Sequence, residues 1–403
     1  MSDPIVMTLT MIIVGQICLS FPILLSRGIK SAVYLPLAIF LLANGVLALN
    51  SIVGALFPNW YQLYTALAFP MLFVLCPSLW FYVEGITSEK PWKLEIKQLR
   101  HYLLLWPGII ISVVIMFLSK DMHAAIFIDD ADVSDPLAIA LVIGVLIMML
   151  LWLAQCTYTV FRIVRRLVAY RKQLKDLFSN NTDKELNWMS WLLFVAISTW
   201  LFFLATVFSS YLLDNLLFNI RTEALLSLVL IWSLAHFGLQ QKPGIAGIGD
   251  NEEVNITPQN EDENNNETSG DSSTAKKYQR SALGTEQSDR IAGKINSIIK
   301  NDKLYLDANL SLQKLANYVA ISPNYISQTL NETLSINFFD FVNQWRIEAA
   351  KPKILANQDT ILNVALEVGF NARSSFYKAF KQETGKTPSE FRKHYSSTME
   401  VTN

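Results

Sequence analysis

The sequence predicts an all-α protein: a polytopic helical membrane bundle of about seven spans, joined by a disordered linker to a C-terminal double helix-turn-helix domain. Three observations support this fold class. Long apolar segments fill roughly the first 240 of the 403 residues, a polar stretch rich in Asn, Glu and Ser follows, and the remainder contains one helix–turn–helix pattern twice. The chain is 52% hydrophobic and only 17% charged, a skewed balance for a soluble protein. We therefore divide it into residues 1–242, 243–284 and 285–398.

Seven apolar segments lie in the first part, and most are long enough to cross a hydrocarbon core, which takes about 20 helical residues. They are 5–25, 32–56, 60–83, 102–118, 137–161, 188–213 and 216–239. The fourth is short, and Arg221 and Glu223 interrupt the start of the seventh. Membrane lipid is therefore an expected partner of this half.

Basic residues follow the odd-numbered segments, as with Arg27 and Lys30 after the first and Arg162, Arg165 and Arg166 after the fifth. The alternate loops carry few basic residues. Loops rich in Lys and Arg face the cytoplasm. The pattern therefore predicts a multi-pass protein with its N-terminus outside and its C-terminal part in the cytoplasm.

No set of side chains in the sequence indicates catalysis or a cofactor. The three cysteines (Cys18, Cys76 and Cys156) each fall inside an apolar run and show no paired spacing. We interpret them as small core residues rather than disulfides or metal ligands. The four histidines are equally scattered. We expect no enzyme activity and no cofactor.

Four polar side chains within the apolar segments allow two interpretations. They are Asn44, Asn50, Gln155 and His236. Membrane-embedded polar groups usually face the bundle interior, where they can line a ligand pocket. The alternative, which we favour, is hydrogen bonding from helix to helix, worth about 0.6–2 kcal/mol per contact.

The fifth segment is followed by an apolar pattern at alternating steps of four and three, namely Ile163, Leu167, Tyr170, Leu174 and Leu177. This heptad spacing offers a narrow seam to a second copy of the chain, which makes a homodimer one hypothesis. The other, which we favour, is an amphipathic segment lying on anionic lipid.

The densest pattern of the C-terminal part lies between residues 361 and 392. Apolar residues at helical spacing make the face of a first helix: Ile361, Val364, Ala365 and Val368. Gly369 ends this helix, and Ser374 is the expected N-cap of a second helix, which buries Phe376 and Phe380. Gly385 closes the second helix, and Pro388 starts the next.

An earlier copy of this plan lies upstream. Its first helix has the apolar face Leu312, Leu315, Ala316 and Val319. Ser322 is the expected N-cap of its second helix, with Pro323 at the first helical position. A helix over 338–355 joins the two units, and an amphipathic helix beginning near Ile291 is expected to cap the first.

These residues form the pattern Val-Ala-X-X-X-Gly-Phe-X-X-X-Ser-X-Phe-X-X-X-Phe-Lys over 364–381, followed by Gly-X-Thr-Pro over 385–388. About the last quarter of the chain thereby resembles the DNA-binding domain of AraC-type (AraC/XylS) transcription regulators. The resemblance implies binding of promoter DNA and activation by recruitment of RNA polymerase, often as a dimer. A DNA-binding domain must be cytoplasmic, so together with the apolar segments and the loop charges we expect a place in the cytoplasmic (inner) membrane of a bacterium.

The resemblance also implies which side chains contact DNA. Bases would be contacted by Arg373, Ser374, Tyr377 and Lys378 in the second unit and by Asn324, Ser327 and Gln328 in the first. Arginine or lysine suits guanine, and the amides suit adenine. We assign Lys381 and Arg392 to phosphate contact or surface solvation. The alternative for Ser374 is helix capping alone, and for Tyr377 a helix-surface aromatic.

Two features bear on how these units are placed. Pro352 lies inside the joining helix, where proline costs about 3 kcal/mol, so a bend or break near Lys351 is expected. The linker 243–284 is too polar to bury a core, and a flexible tether of this kind cannot transmit a rigid-body rotation.

The combination predicts a membrane-integrated one-component transcription regulator that responds to a lipophilic signal, a membrane property or another membrane protein. The alternative is a transporter or membrane enzyme with an attached DNA-binding module, which would need charged or metal-ligating clusters in the spans. A structural tether of DNA to the membrane is a third hypothesis.

Overall fold

The computed structural model describes residues 3–88, 92–127, 135–180, 186–212, 220–241 and 284–401, and within these residues the secondary structure is helical apart from one isolated β-bridge. The predicted linker lies outside the described residues except for Gly284. The chain divides into two compact units, Met1–Val168 with Leu186–Val254 and Ala169–Glu185 with Asn255–Asn403.

The first unit is built from apolar helices. They are α1 (Pro4–Lys30), α2 (Tyr34–Ala48), α3 (Asn50–Leu56), α4 (Tyr61–Ala68), α5 (Met71–Ile86), α6 (Leu105–Phe117), α7 (Lys120–Phe127), α8 (Pro136–Leu177), α9 (Asn187–Leu212) and α10 (Ile220–Gln240). The 42-residue α8 passes the boundary at Val168, so its last turns belong to the second unit.

Four described stretches are long and apolar enough to cross a membrane: Pro4–Lys30, Tyr34–Leu56, Pro136–Leu177 and Arg221–Gln240. Two bent pairs raise the number to six if each pair is one span: Pro58–Ala68 with Met71–Ile86, and Ile96–Tyr102 with Leu105–Phe117. The predicted third and fourth segments therefore exist as broken helices, bent by 43° and 49°. Helix α9 adds a shorter apolar helix over Asn187–Ser198, and residues 213–219, where the sixth predicted segment ends and the seventh begins, lie outside the described part.

Pro70 explains the break in the third segment. Proline has no N–H to offer the carbonyl four residues earlier, which is that of Ala66. The hydroxyl of Ser112 on α6 donates to this carbonyl instead. A broken helix is tolerated in an apolar bundle when a neighbouring side chain satisfies the freed backbone group in this way.

Basic side chains that follow the odd-numbered segments gather at one end of the first unit. Arg27, in the last turn of α1, donates to the carbonyl of Leu239 near the end of α10. Arg166 donates through Nε to the hydroxyl of Thr87, just after α5, over 2.9 Å. At the other ends of α1 and α10, Asp3 forms an ion pair with Arg221.

The four polar side chains of the apolar segments make two kinds of contact. Asn50 accepts a hydrogen bond from Tyr61 on α4 at 3.3 Å, and Gln155 donates to the carbonyl of His101 at 3.3 Å, so both join different elements. Asn44 donates only to Phe40 of its own helix, and His236 pairs with Gln240.

The heptad pattern on α8 faces the protein's own interior. Ile163, Leu167, Tyr170 and Leu174 are each at most 3% exposed in the single chain. Both hypotheses for this face, a seam for a second copy and a surface lying on lipid, are therefore wrong. A four-and-three repeat fits an intramolecular helix contact as well as a coiled coil.

The interpretation of the cysteines also needs correction. Cys76 on α5 and Cys156 on α8 lie with their Sγ atoms 3.0 Å apart, and Cys18 is exposed rather than part of the core. Residues 80 positions apart have no spacing that would reveal such a pair.

The second unit contains the helix-turn-helix pattern twice. Its helices are α11 (Thr285–Asn301), α12 (Leu312–Val319), α13 (Pro323–Gln328), α14 (Phe338–Ala356), α15 (Ile361–Glu367), α16 (Arg373–Thr384) and α17 (Pro388–Val401). Helices α11 to α13 and the start of α14 surround one apolar core, and the rest of α14 with α15 to α17 surrounds another. The predicted joining helix and the cap formed by Ile291, Ile295 and Ile299 are both present.

Gly369 ends α15 for two physical reasons. Its φ of +94° is in the left-handed region that favours glycine. A Cβ at this position would also lie 2.6 Å from the carbonyl oxygen of Tyr305. The glycine thus lets the turn of the second helix-turn-helix (α15 and α16) approach the backbone that precedes the first helix-turn-helix (α12 and α13).

Two local predictions about the C-terminal unit need correction. Helix α14 continues through Pro352 without a break, and Pro352 and Glu348, the residue whose carbonyl loses its N–H donor, are both exposed. Helix α16 begins at Arg373 with Ala372 as its N-cap, so Ser374 is already inside the first turn. Ser322 does cap α13, without a side-chain hydrogen bond.

Candidate nucleic-acid interface

Helix α16 separates an apolar face from a basic, polar one. Phe376 and Phe380 are completely buried on one side. Ser374 and Lys378 lie on the opposite side, and Arg373 and Tyr377, one turn apart, lie between the two faces. Arg373, Ser374 and Lys378 are exposed, whereas Tyr377 is half-buried and packs against the second core, so three of the four positions predicted for the second helix-turn-helix are exposed.

Arg373 and Tyr377 form a pair on this surface. The Nη2 of Arg373 donates to the Tyr377 hydroxyl over 3.0 Å, and the guanidinium carbon lies 4.9 Å from the ring centroid. Burial raises the pKa of Tyr377, but hydrogen bonds with Ser389 and Arg373 and the nearby positive charges hold it below its ordinary value. Stacking on the ring limits the rotamers of the arginine, so its guanidinium group is already oriented before a ligand binds.

The first helix-turn-helix presents a less exposed polar surface on α13. Asn324 is exposed, and Ser327 and Gln328 are half-buried, one helical turn further along α13. Gln328 donates to Glu332 at 2.8 Å, and the Ser327 carbonyl accepts from Asn331 at 3.0 Å. A base edge must therefore compete with contacts inside the helix and with a nearby carboxylate.

The two residues assigned to phosphate differ in their surroundings. Lys381 is exposed on the last turn of α16. Arg392 is half-buried, and its Nε donates over 3.0 Å to the carbonyl of Ile354 in the last turn of α14. That contact satisfies a carbonyl at a helix end, which is a structural role.

Arg346 lies on α14, the helix that joins the two helix-turn-helix patterns, and binds it to neighbouring segments. It is completely buried, and its five N–H donors match five hydrogen bonds of 2.7–3.4 Å. The acceptors are the carbonyls of Tyr305 and Asp307, the side chain of Asn343, and the carbonyl and hydroxyl of Ser179. Burial lowers the pKa of Arg346 to about 10, opposed by the charge of Asp307, so the group stays protonated near neutral pH.

Ser179 comes from the stretch that follows α8. Its amide and its hydroxyl both donate to the carbonyl of Leu310, over 3.2 and 2.7 Å. Phe178 forms an antiparallel bridge with Ser311, the N-cap of α12. Leu177 packs against the first core. The end of α8 is thus an integral part of the second unit, attached where the first helix-turn-helix begins.

Replacing Ser179 by alanine is expected to loosen this attachment without unfolding the unit. The change leaves an N–H of Arg346 unpaired in the interior, a cost of about 1–3 kcal/mol. We expect the backbone amide of residue 179 to exchange its hydrogen about 5–100 times faster in the variant, measured by mass spectrometry on the full-length protein in lipid nanodiscs. Ser297→Ala, an exposed serine bonded only within α11, is the matched control. An exchange rate equal to that of the control would contradict this account.

The sequence contained one sign of the anchor. Val342, Arg346 and Ala350 repeat at steps of four, so the arginine occupies a position of the buried stripe of α14. The acceptor Ser179, 167 residues earlier, had no such sign.

Comparisons with known proteins match the C-terminal part of the chain. Residues 315–394 match the helix-turn-helix domain family HTH_18. An uncharacterised HTH-type transcriptional regulator of Staphylococcus aureus (strain COL) is 35% identical over 99 residues, which are 25% of this chain and 13% of that protein. YijO of Escherichia coli (strain K12), another uncharacterised HTH-type transcriptional regulator, is 33% identical over 98 residues, which are 24% of this chain and 34% of that protein.

Among solved structures, the C-terminal domain of AraT, a response regulator from Geobacillus stearothermophilus, is 26% identical with a TM-score of 0.23, covering 26% of this chain and 84% of that one. The chain thus spans only 13% and 34% of the length of the two regulators. The family match over residues 315–394 begins within α12 and ends within α17. The C-terminal part of the chain is therefore a helix-turn-helix domain of the AraC type.

Proposed function

We propose that the protein is a membrane-integrated one-component transcription regulator, in which a transmembrane bundle senses a signal and the C-terminal domain binds promoter DNA. One observation carries the proposal: a single chain joins an AraC-type helix-turn-helix domain to several helices long and apolar enough to cross a membrane. Sensing and DNA binding then need no second protein.

Base contacts are assigned to the outward face of α16, with Arg373 and Lys378 as the principal donors and Ser374 and Tyr377 beside them. Guanine presents two acceptors in the major groove, which suit the fork of an arginine. Asn324, Ser327 and Gln328 of α13 would contact a second stretch of the same groove. Lys381 and Arg392 would contact phosphates, Lys381 being the better placed because it is exposed.

The bundle is assigned seven spans, with α9 as the sixth and each bent pair as one. The basic end of the first unit, around Arg27 and Arg166, would face the cytoplasm, with Asp3 outside. With the N-terminus outside, an odd number of spans places the C-terminal domain in the cytoplasm, where the DNA is.

The signal would reach the bundle from the membrane itself, as a lipophilic molecule, a membrane property or another membrane protein. Promoter activation through RNA polymerase, with the protein as a homodimer, completes the proposal.

Chromatin immunoprecipitation of the full-length protein, combined with transcript profiling of a deletion strain, tests the function. We expect discrete binding sites beside a small set of genes whose transcripts change on deletion. Binding sites without transcript changes would instead identify a tether of DNA to the membrane. Absence of discrete sites would overturn the proposal.

A further inference from the structure

Two cysteines of the apolar half meet in space. Cys76 lies in the middle of α5 and Cys156 in the middle of α8, and their Sγ atoms are 3.0 Å apart, within hydrogen-bonding distance for sulfur. Both are partly exposed. The third cysteine of the sequence, Cys18, lies on α1 and is exposed. The two thiols therefore form a pair that can be studied apart from other cysteines.

The pair opens onto a cavity of about 300 Å³ between α2, α5, α8 and α9. Its walls include Phe40, Leu75, Leu79 and Trp152 together with both cysteines. All four helices are apolar, and α2 and α8 belong to stretches long enough to cross a membrane. An occupant of this cavity must therefore be apolar and arrive through lipid.

The chemistry of the wall narrows the class of occupant. Two thiols in contact undergo a two-electron oxidation to a disulfide, whose S–S bond of about 2.05 Å requires the sulfurs to approach by about 1 Å. A metal site is disfavoured, because no group of three His, Cys, Asp or Glu side chains able to hold an ion occurs among the described residues. Quinones are lipid-soluble compounds that accept two electrons and two protons.

We propose that Cys76 and Cys156 form a dithiol that a quinone bound in this cavity oxidises to a disulfide. The two S–H bonds break and one S–S bond forms. The quinone takes up both electrons and both protons, and leaves as the hydroquinone. The disulfide locks α5 to α8, the helix that ends before Ser179, so the oxidation state of the membrane quinone pool would set the position of α8. The reaction itself is independent of DNA binding, so its failure would leave the proposed function standing.

The full-length Cys18→Ser protein tests the reaction, because it contains only this pair. The protein is reconstituted in phosphatidylethanolamine–phosphatidylglycerol vesicles without oxygen and treated with decylubiquinone or with its reduced form. This quinone is fully substituted and does not arylate thiols. After denaturation in detergent, maleimide–polyethylene glycol adds one increment of mass to each free thiol. We expect two adducts after the quinol, none after the quinone, and two again after dithiothreitol.

Two further variants make the result specific. Cys18→Ser with Cys156→Ser retains one thiol and is expected to give one adduct under every treatment. Ala196→Trp, in a residue that lines the cavity, is expected to slow oxidation by the quinone more than tenfold, while Ala140→Trp, at an exposed position of α8 away from the cavity lining, leaves the rate unchanged. Two adducts after quinone treatment, loss of label from the single thiol, or an unchanged rate of quinone oxidation in the Ala196→Trp protein would each overturn the proposal.

Discussion

Arg346→Ala is expected to destabilise the DNA-binding domain by about 3 kcal/mol, because it removes five hydrogen bonds of a buried, charged donor. The substitution leaves the buried carbonyl of Ser179 without this donor, at about 1–3 kcal/mol, and the partly buried carbonyls of Tyr305 and Asp307 add to the cost. Whole domains are stable by only about 5–15 kcal/mol. The loss is a large fraction of that stability, so the unfolded share of the C-terminal unit should rise at physiological temperature, and DNA binding should weaken with it.

Hydrogen exchange of α14 in the full-length protein measures this effect. Amides of α14 are expected to exchange at least a hundredfold faster in Arg346→Ala. Arg290→Ala is the matched control, because Arg290 is 78% exposed and pairs only with Glu286 on α11, a contact worth under about 1 kcal/mol. Arg346→Lys should fall between the two, since an ammonium reaches only part of the acceptor set. Protection of α14 equal to that of the Arg290 variant would refute the role assigned to Arg346.

The helix-turn-helix architecture was accessible from the sequence because its determinants are local. Apolar residues three and four apart define the buried faces of α12 and α15, and Gly369, Gly385 and Pro388 mark the ends of helices. Even here the cause is partly tertiary. Gly369 is required not only by its own φ but also by the approach of Tyr305, which lies far earlier in the chain. A local pattern can thus predict a turn without revealing what the turn contacts.

The contacts that join elements were beyond sequence reasoning for the opposite reason. Arg346 contacts Ser179, and Cys76 contacts Cys156, although they are 167 and 80 residues apart in the sequence. No periodicity relates such positions. The heptad pattern on α8 showed that one face is buried but not which partner buries it. The free-energy cost of Pro352 was overestimated, because this cost depends on whether the residue with the freed carbonyl is buried. Burial is a property of the fold, and the sequence alone does not give it.

Base contact by Arg373 gives the second large expected effect. Arg373→Ala should weaken binding to a promoter fragment recovered by chromatin immunoprecipitation by about 5–150-fold, corresponding to about 1–3 kcal/mol for one bidentate contact with guanine. Fluorescence anisotropy of the full-length protein in nanodiscs, at several salt concentrations, measures this. The Arg290→Ala protein should bind as the unchanged protein does, because Arg290 lies on α11, away from the outward face of α16.

Arg373→Lys separates a base contact from a phosphate contact. Lysine keeps the charge but not the fork, so a phosphate contact would survive it with the salt dependence unchanged, whereas a bidentate base contact would not. We expect the lysine variant to bind the specific fragment almost as weakly as the alanine variant, and unrelated DNA as well as the unchanged protein. Tyr377→Phe removes only the hydroxyl that accepts from Arg373 and should cost severalfold less. If lysine restores specific binding, Arg373 contacts the backbone, and base contact must come from Lys378 or from α13.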